Sequence, residues 1–269
     1  MFPMNSRWPK GGGITYFIGE TIENFIIKAF SMADIKDDFV LNFIKDNRWK
    51  YLTDGLKITL EVTFFAVILG IVLGSVIAII RSTYDTNYES MKSKVGKAVL
   101  KILNLVAKIY LTVIRGTPVV VQLMIMYYVI FSTSNNKVPI AILSFGINSG
   151  AYVAEIIRSG IMAIDRGQFE AGRSLGFNYI QTMIYIILPQ AFKNILPALA
   201  NEFIVLLKET SVAGYVALQD LTKGGDIIRS RTYSAFMPLI TVAVIYLVMV
   251  MFFTYLVGRL ERRLRNDER

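Results

Sequence analysis

The sequence predicts an all-α polytopic membrane protein. Hydrophobic residues make up 54% of the 269 residues, and the mean hydropathy is +0.50, which is high for a soluble domain of this length. The apolar residues are grouped in blocks, and a spanning helix needs about 20 mostly apolar residues. Five segments meet this requirement, at about residues 54–80, 110–131, 138–163, 182–207 and 236–258.

The N-terminal segment, residues 1–53, is more polar than the spans that follow it. Residues 14–32 and 39–51 carry apolar residues at helical spacing with charged residues between them. This pattern is typical of amphipathic helices that lie at a membrane surface. We therefore expect two such helices before the first span.

The distribution of basic residues predicts the orientation. Residues 81–109 carry six Lys and Arg against two Asp and Glu, and such an excess beside a span marks the cytoplasmic side. The transmembrane domain, residues 54–258, then begins outside the cell, so residues 1–53 are extracytoplasmic and the basic tail, residues 259–269, is cytoplasmic. The same count places Glu170 in the cytoplasm. The net charge of +9 is explained by this orientation rather than by nucleic-acid binding.

Glycine and proline predict where the spans pack closely or bend. Gly70 and Gly74 are four residues apart in the first span, a spacing that allows close approach of a second helix. Gly116 and Pro118 stand at the start of the second span, where they break regular helix geometry. Pro197 predicts a kink in the fourth span, because it removes a backbone hydrogen bond.

A polar stretch with strong turn signals separates the third and fourth spans. Residues 168–175 are sufficient for about two turns of helix, and Gly176 fits the position after the helix end, where a positive φ is needed. Asn178 fits an N-cap, and Gln181 completes a capping box with it. We expect a helix, a sharp turn and a second helix, with a kink at Pro189. A plain helical hairpin has the same local chemistry.

The spacing of this stretch resembles the EAA loop found in permeases of binding-protein-dependent ABC importers. That loop reads Glu-Ala-Ala, three residues, Gly, nine residues, Ile, one residue and Leu-Pro, and residues 170–189 match it throughout. One residue departs from the pattern, because Gly172 stands in place of the second Ala. The resemblance extends over about residues 50–260. Three further segments resemble the polar amino-acid branch of this family, at residues 115–122, 151–160 and 208–212.

The resemblance implies a fold, a set of partners and a function. The fold is that of type I ABC importer permeases, with five transmembrane helices and a cytoplasmic coupling helix in the bacterial cytoplasmic membrane. The partners are ATP-binding subunits that bind ATP and Mg²⁺, an extracytoplasmic binding protein and a second permease, either a copy or a paralogue. The function is uptake of a polar amino acid by alternating access.

The resemblance also assigns residues to the contact with the ATP-binding subunit. Because Gly172 replaces an Ala of the family pattern, Gly172→Ala is expected to preserve coupling. Glu170→Lys is expected to uncouple ATP hydrolysis from transport. The implied coupling residues are Glu170, Ala171, Gly172, Gly176, Leu188 and Pro189.

The third span contains the candidates for substrate binding. Ser149, Tyr152 and Glu155 share one helical face, and an ionisable group in a span faces a polar interior by default. The resemblance implies a substrate site between the central helices, where an ammonium group needs an anionic or carbonyl partner. Glu155 either contacts substrate or pairs with Arg158. Gln122, the fourth candidate, contacts either substrate or a neighbouring helix.

The composition argues against an enzyme. The chain has no Cys and no His, which removes thiolate nucleophiles, His-based triads and the usual transition-metal centres, so no catalytic residue or metal site is assigned. Gly96-Lys97 is followed by Ala98, so there is no P-loop, and the chain itself is expected to hold no cofactor. The alternatives are an importer of another small solute, such as an opine or a sulfur-containing amino acid, and a channel or scaffold outside the ABC class.

Overall fold

The computed structural model describes residues 32–266, which are almost entirely helical. The amphipathic helix expected at residues 14–32 lies outside the described residues except for its last residue, and residues 267–269 of the tail also lie outside them. The described α-helices are α1 (Met32–Phe39), α2 (Trp49–Asn87), α3 (Lys94–Gly116), α4 (Val119–Ile125), α5 (Lys137–Met162), α6 (Arg166–Ser174), α7 (Tyr179–Thr182), α8 (Leu188–Glu209), α9 (Leu221–Thr232) and α10 (Phe236–Asn266).

Single π-helical or 3-10 turns extend several of these helices. A π-helical turn and a 3-10 turn replace the regular amphipathic helix expected at residues 39–51, and they lead directly from α1 into α2. A further π-helical turn continues α4, another joins α7 to α8, and a 3-10 turn follows α8. These turns are Val40–Ile44, Lys45–Asn47, Met126–Ile130, Met183–Ile187 and Thr210–Val216.

Four helices within residues 32–266 are long and apolar enough to cross a membrane. They are α2, α5, the continuous helix Tyr179–Val216, and Phe236–Leu264 within α10. Their positions confirm four of the five spans in the sequence. Since Tyr179–Val216 forms one candidate span, Pro189 and Pro197 do not divide it.

The remaining span, expected over about residues 110–131 with a break in helix geometry at its entry, is a bent pair of helices. α3 and the helix from Val119 to Ile130 meet at 107°, and they amount to a fifth span only as a bent pair. Thr117 and Pro118 at the bend are both extended, with ψ of 144° and 137°. The proline ring disfavours helical geometry in the residue before it, so the break occurs where Gly116 and Pro118 predict it.

α2 and α5 pack along each other at the centre of the bundle. A Cβ atom at Gly70 would lie 2.9 Å from Oγ of Ser149, and one at Gly74 would lie 2.6 Å from Cγ1 of Val153. The two glycines therefore permit this close approach, which confirms the packing face in the sequence. A core around the fully buried Phe145 links α5 to α2, α4 and α8.

α9 closes the end of the bundle opposite α6, since α8 runs from one end to the other. Asp220 caps α9 by accepting hydrogen bonds from the backbone N–H groups of Thr222 and Lys223, at 3.0 and 3.2 Å. Residues before α2 support the same helix: the side chain of Asn42 accepts a 2.8 Å hydrogen bond from the Thr232 hydroxyl. Phe43 adds an apolar contact to the core beneath α9.

Candidate functional site

α6 is a short helix whose two ends are both fixed by local hydrogen bonds. At its start, Asp165 accepts a 2.6 Å hydrogen bond from the backbone N–H of Gly167. At its end, the N–H groups of Gly176 and Phe177 donate to the carbonyls of Arg173 and Gly172, and Gly176 has a φ of 82°. This is a Schellman ending, so the role predicted for Gly176 as the turn residue is confirmed.

The next helix begins immediately after this turn. The Asn178 side chain accepts from the backbone N–H of Gln181, and the Gln181 side chain accepts from the backbone N–H of Asn178, each at 2.9 Å. The predicted capping box is therefore confirmed. Leu188 and Pro189 begin α8 after a π-helical turn, where the missing N–H of proline is tolerated. The kink expected at Pro189 is therefore replaced by a π-helical turn just before it.

Gly172 is the point where α6 touches the helix that follows it. Gly172 is buried, and a Cβ atom there would lie 2.7 Å from Cγ2 and 2.8 Å from Oγ1 of Thr182. Thr182 is itself buried, and its β-branched side chain has few alternative rotamers. The packing therefore argues against the expectation that alanine is harmless at this position. Gly172, the residue that departs from the family pattern, is therefore suited to its close contact with Thr182 in this chain.

The opposite side of α6 is open to solvent. Glu170 and Ala171 are exposed, and Leu175 at the helix end is 72% exposed. Phe169, by contrast, packs into the cluster around Ile161 and Ile187 and holds α6 against α5 and α8. α6 is thus held firmly against the bundle, and it exposes a carboxylate, a small residue and an apolar side chain at its end. Such a surface suits a docking contact that must transmit movement.

The predicted substrate residue Glu155 lies in a cluster of charged groups. Its carboxylate is 3.4 Å from a guanidinium nitrogen of Arg158 and 4.0 Å from one of Arg115. Arg158 also contacts Asp85, at 3.2 Å, so the cluster joins α2, α3 and α5. Arg115 lies over the ring of Tyr152, 5.6 Å from its centroid. The structure therefore brings Glu155 and Tyr152 together and gives Glu155 two cationic neighbours.

Gln122 spans the break between α3 and α4. Its side-chain nitrogen donates to the carbonyl of Ile114 at 2.7 Å and to the hydroxyl of Thr117 at 2.8 Å. Its side-chain oxygen accepts a 3.0 Å hydrogen bond from Asn148 on α5. Of the two alternatives for Gln122, contact with neighbouring helices is the one observed. Both the nitrogen and the oxygen of its side-chain amide therefore have hydrogen-bond partners.

Ser149 bonds to a residue that the sequence analysis missed. Its hydroxyl donates a 2.9 Å hydrogen bond to the carboxylate of Glu202 on α8. Glu202 is 8% exposed although it lies within the candidate span Tyr179–Val216. The sequence signal that could have identified Glu202 is a single carboxylate inside an apolar span. No three carboxylates within residues 32–266 are close enough together to hold a metal ion.

Comparison with known proteins identifies relatives of this chain. Residues 95–266, more than half of the chain, match the family described as binding-protein-dependent transport system inner membrane component. A solved structure described as an amino acid ABC transporter with histidines has a TM-score of 0.71 and 43% identity, over 82% of this chain and 98% of that one.

Two curated permeases add to this comparison. The glutamine transport system permease protein of Escherichia coli K12 is 38% identical over 168 residues, which is 61% of this chain and 77% of the relative. The L-cystine transport system permease protein of Bacillus subtilis 168 is 32% identical over 226 residues, which is 83% of this chain and 90% of the relative.

The family match, the structural likeness and the spacing of residues 170–189 agree. ABC importers of this kind combine such a permease with ATP-binding subunits and a binding protein, so ATP hydrolysis takes place on a separate subunit. The chain therefore belongs to the family of binding-protein-dependent transport system inner membrane components, as a non-enzymatic, multi-pass permease subunit of an ABC importer.

Proposed function

We propose that this permease carries a polar amino acid into the cytoplasm and that α6 is its coupling helix. The observation that carries the proposal is the rigid setting of α6. Local hydrogen bonds fix both of its ends, and Gly172 presses its buried side against Thr182 at the start of the next helix. A helix held in this way passes a push from an ATP-binding subunit directly into α8.

The proposed contact uses the exposed face of α6. Glu170 offers a carboxylate to basic or polar groups of the ATP-binding subunit, and Ala171 allows close approach. Leu175 adds an apolar contact at the tip. Gly176, Leu188 and Pro189 act indirectly, because they set the turn and the start of α8.

The proposed orientation follows from the charges. The basic residues of 81–109 and those of the tail, residues 259–269, are placed in the cytoplasm with α6, so the N-terminus is outside. α9, at the opposite end, then faces the binding protein. Its exposed surface carries an ion-pair network in which Asp226 bonds to Lys223 at 2.8 Å and to Arg229 at 2.6 Å. Hydrogen bonds from these two cations lower the pKa of Asp226, so the network stays charged at neutral pH.

The substrate class rests on the relatives. Those described above are named for glutamine and cystine transport, and the solved transporter for amino acids. Within this chain, Tyr152 and Glu155 are the proposed substrate contacts, because both are partly open and Glu155 supplies a carboxylate for an ammonium group. Ser149 and Gln122 are proposed to support that region through the bonds they already make.

A second permease chain completes the proposed assembly. The five helical spans of one chain offer few polar residues for enclosing a solute. Two permeases and two ATP-binding subunits then alternate between inward-open and outward-open states. ATP and the loaded binding protein must favour the outward state over the inward state, since a ligand shifts an equilibrium only through differential affinity.

Reconstitution tests this proposal. The permease is purified with its ATP-binding subunit in lipid vesicles, and ATP hydrolysis and uptake are measured with the binding protein and each amino acid in turn. We expect one or a few polar amino acids to stimulate both activities. Stimulation only by methionine or an opine would replace the substrate class. Solute flux that needs no ATP would indicate a channel instead.

A further inference from the structure

α8 carries a polar stripe on the side that the other described residues leave uncovered. Asn194, Asn201 and Lys208 are exposed and follow one another at intervals of seven residues. Seven residues make about two helical turns with a drift of only about 20°, so the three side chains share one face. Asn194 and Asn201 make no side-chain hydrogen bond within the described part of the chain.

This stripe lies at membrane depth. The candidate span Tyr179–Val216 contains all three residues, and Asn194 and Asn201 lie on either side of its midpoint. An amide facing lipid would lose its hydrogen bonds to water without replacement, which is strongly unfavourable. The exposed face of α10 shows the contrast, since Val244 and Val248 are 51% and 59% exposed and suit a lipid environment.

We propose that Asn194, Asn201 and Lys208 line a water-filled transport path and face the same stripe of a second copy of this chain. A two-fold axis places each residue opposite itself, and an amide is suited to this because it both donates and accepts hydrogen bonds. The same property lets the asparagines contact either the ammonium or the carboxylate of a passing amino acid. Lys208, at the α9 end, lies where the path opens.

This inference deepens the proposed function and rests on it, so the test is chosen to be independent of transport. The chain contains no Cys, so each single-Cys variant carries one thiol in an unmodified background. Asn194→Cys, Asn201→Cys and the control Val248→Cys are prepared in membranes together with the ATP-binding subunit. Only variants that co-purify with that subunit are compared.

A hydrophilic, membrane-impermeant maleimide then reports which thiols meet water. We expect Asn194→Cys and Asn201→Cys to react at least about tenfold faster than Val248→Cys, because the reactive thiolate forms in water and not in lipid. If Asn201→Cys reacts no faster than the control, the stripe does not line a water-filled path and the proposal is overturned.

A short bismaleimide tests the second copy. We expect it to join two Asn201→Cys chains into a covalent dimer that is absent for Val248→Cys. Rapid labelling at position 201 without any such dimer would overturn the placement of a second copy across the path. Labelling and cross-linking need neither ATP nor an amino acid, so an incorrect substrate class would leave both results unchanged.

Discussion

The hydroxyl of Ser149 on α5 donates a 2.9 Å hydrogen bond to the carboxylate of Glu202 on α8, in the interior of the helical bundle. Gly70 of α2 lies against Ser149, where a Cβ atom would be 2.9 Å from the same hydroxyl oxygen. Three helices therefore meet at one polar contact. Ser149 is 1% exposed and Glu202 is 8% exposed, so neither group has ready access to water as a substitute partner.

Removal of the hydroxyl should destabilise the permease through the carboxylate left behind. We expect Ser149→Ala to lower the free energy of unfolding by about 1–3 kcal/mol, the usual effect of leaving a buried polar group unpaired. The double variant Ser149→Ala with Glu202→Leu should recover most of this loss, since neither polar group then remains. Thermal unfolding of the complex in lipid discs measures both. Equal destabilisation by the single and double variants would contradict the argument.

Alanine at position 172 should disturb the coupling helix because it meets Thr182. We expect Gly172→Ala to reduce ATP-driven uptake several-fold while residual ATP hydrolysis continues, because α6 must shift to relieve the contact. Adding Thr182→Ala should restore uptake, since it removes both atoms that lie within 3 Å of the new Cβ. The Oγ1 atom of Thr182 has no hydrogen-bond partner among the described residues, so its loss is tolerated. Full activity of Gly172→Ala alone would show that the surroundings of Thr182 accommodate the added methyl group without displacing α6.

Charge reversal on the open face of α6 should separate hydrolysis from transport. We expect Glu170→Lys to keep the fold, because Glu170 is exposed and its side chain forms no ion pair with any residue from 32 to 266. We expect the variant to lose uptake at least about tenfold, as for one or more charge-assisted hydrogen bonds. Glu89→Lys is the matched control, since Glu89 is another exposed glutamate next to the basic residues of 81–109. Uptake and ATP hydrolysis are measured in vesicles. A normal uptake rate in Glu170→Lys would show that α6 is only a connecting turn without a role in coupling.

The two alternatives for Glu155 are separated by exchanging the paired charges. The ion pair with Arg158 is partly exposed, with 27% and 29% of the two side chains accessible, so its loss should cost less than about 1 kcal/mol. We expect Glu155→Gln to fold normally and to lower the uptake rate. The exchange Glu155→Arg with Arg158→Glu preserves this pair but moves the carboxylate and brings like charges beside Arg115 and Asp85, and we expect it not to restore uptake. Restored uptake would show that Glu155 acts only as the structural ion-pair partner of Arg158.

Local features of this protein were predictable from sequence because they depend on neighbouring residues. Gly176 and the Asn178–Gln181 capping box are such cases, since turn chemistry is specified within a few positions. The break before Pro118 is another, although its 107° angle is not contained in the local pattern.

Contacts between distant segments were not predictable in the same way. The bond from Ser149 to Glu202 depends on how α8 is rotated against α5, and no spacing in one sequence reports that rotation. The contact of Gly172 with Thr182 was missed for a related reason. The family pattern has alanine at the position of Gly172. The space around Gly172, however, depends on where the following helix places Thr182.

The carboxyl of Asp220 should make stability depend on pH. Burial raises its pKa from 3.8 to about 6, against the opposing effect of hydrogen bonds from Thr222 and Lys223. Between these two values the folded chain binds more protons at this site than the unfolded chain does. The free energy of unfolding therefore falls as the pH rises through about 6, by up to about 2–3 kcal/mol at about 1.4 kcal/mol per pKa unit.

Asp220→Asn removes this titration and keeps one of the two oxygens that cap α9, so that one of the backbone N–H groups of Thr222 and Lys223 retains its acceptor. We expect the wild-type melting temperature to decrease between pH 4.5 and 7.5 relative to that of Asp220→Asn. Both are measured at one scan rate in lipid discs, since such unfolding is often irreversible. Parallel pH profiles would mean that Asp220 keeps the same charge across this range and that its burial does not penalise ionisation.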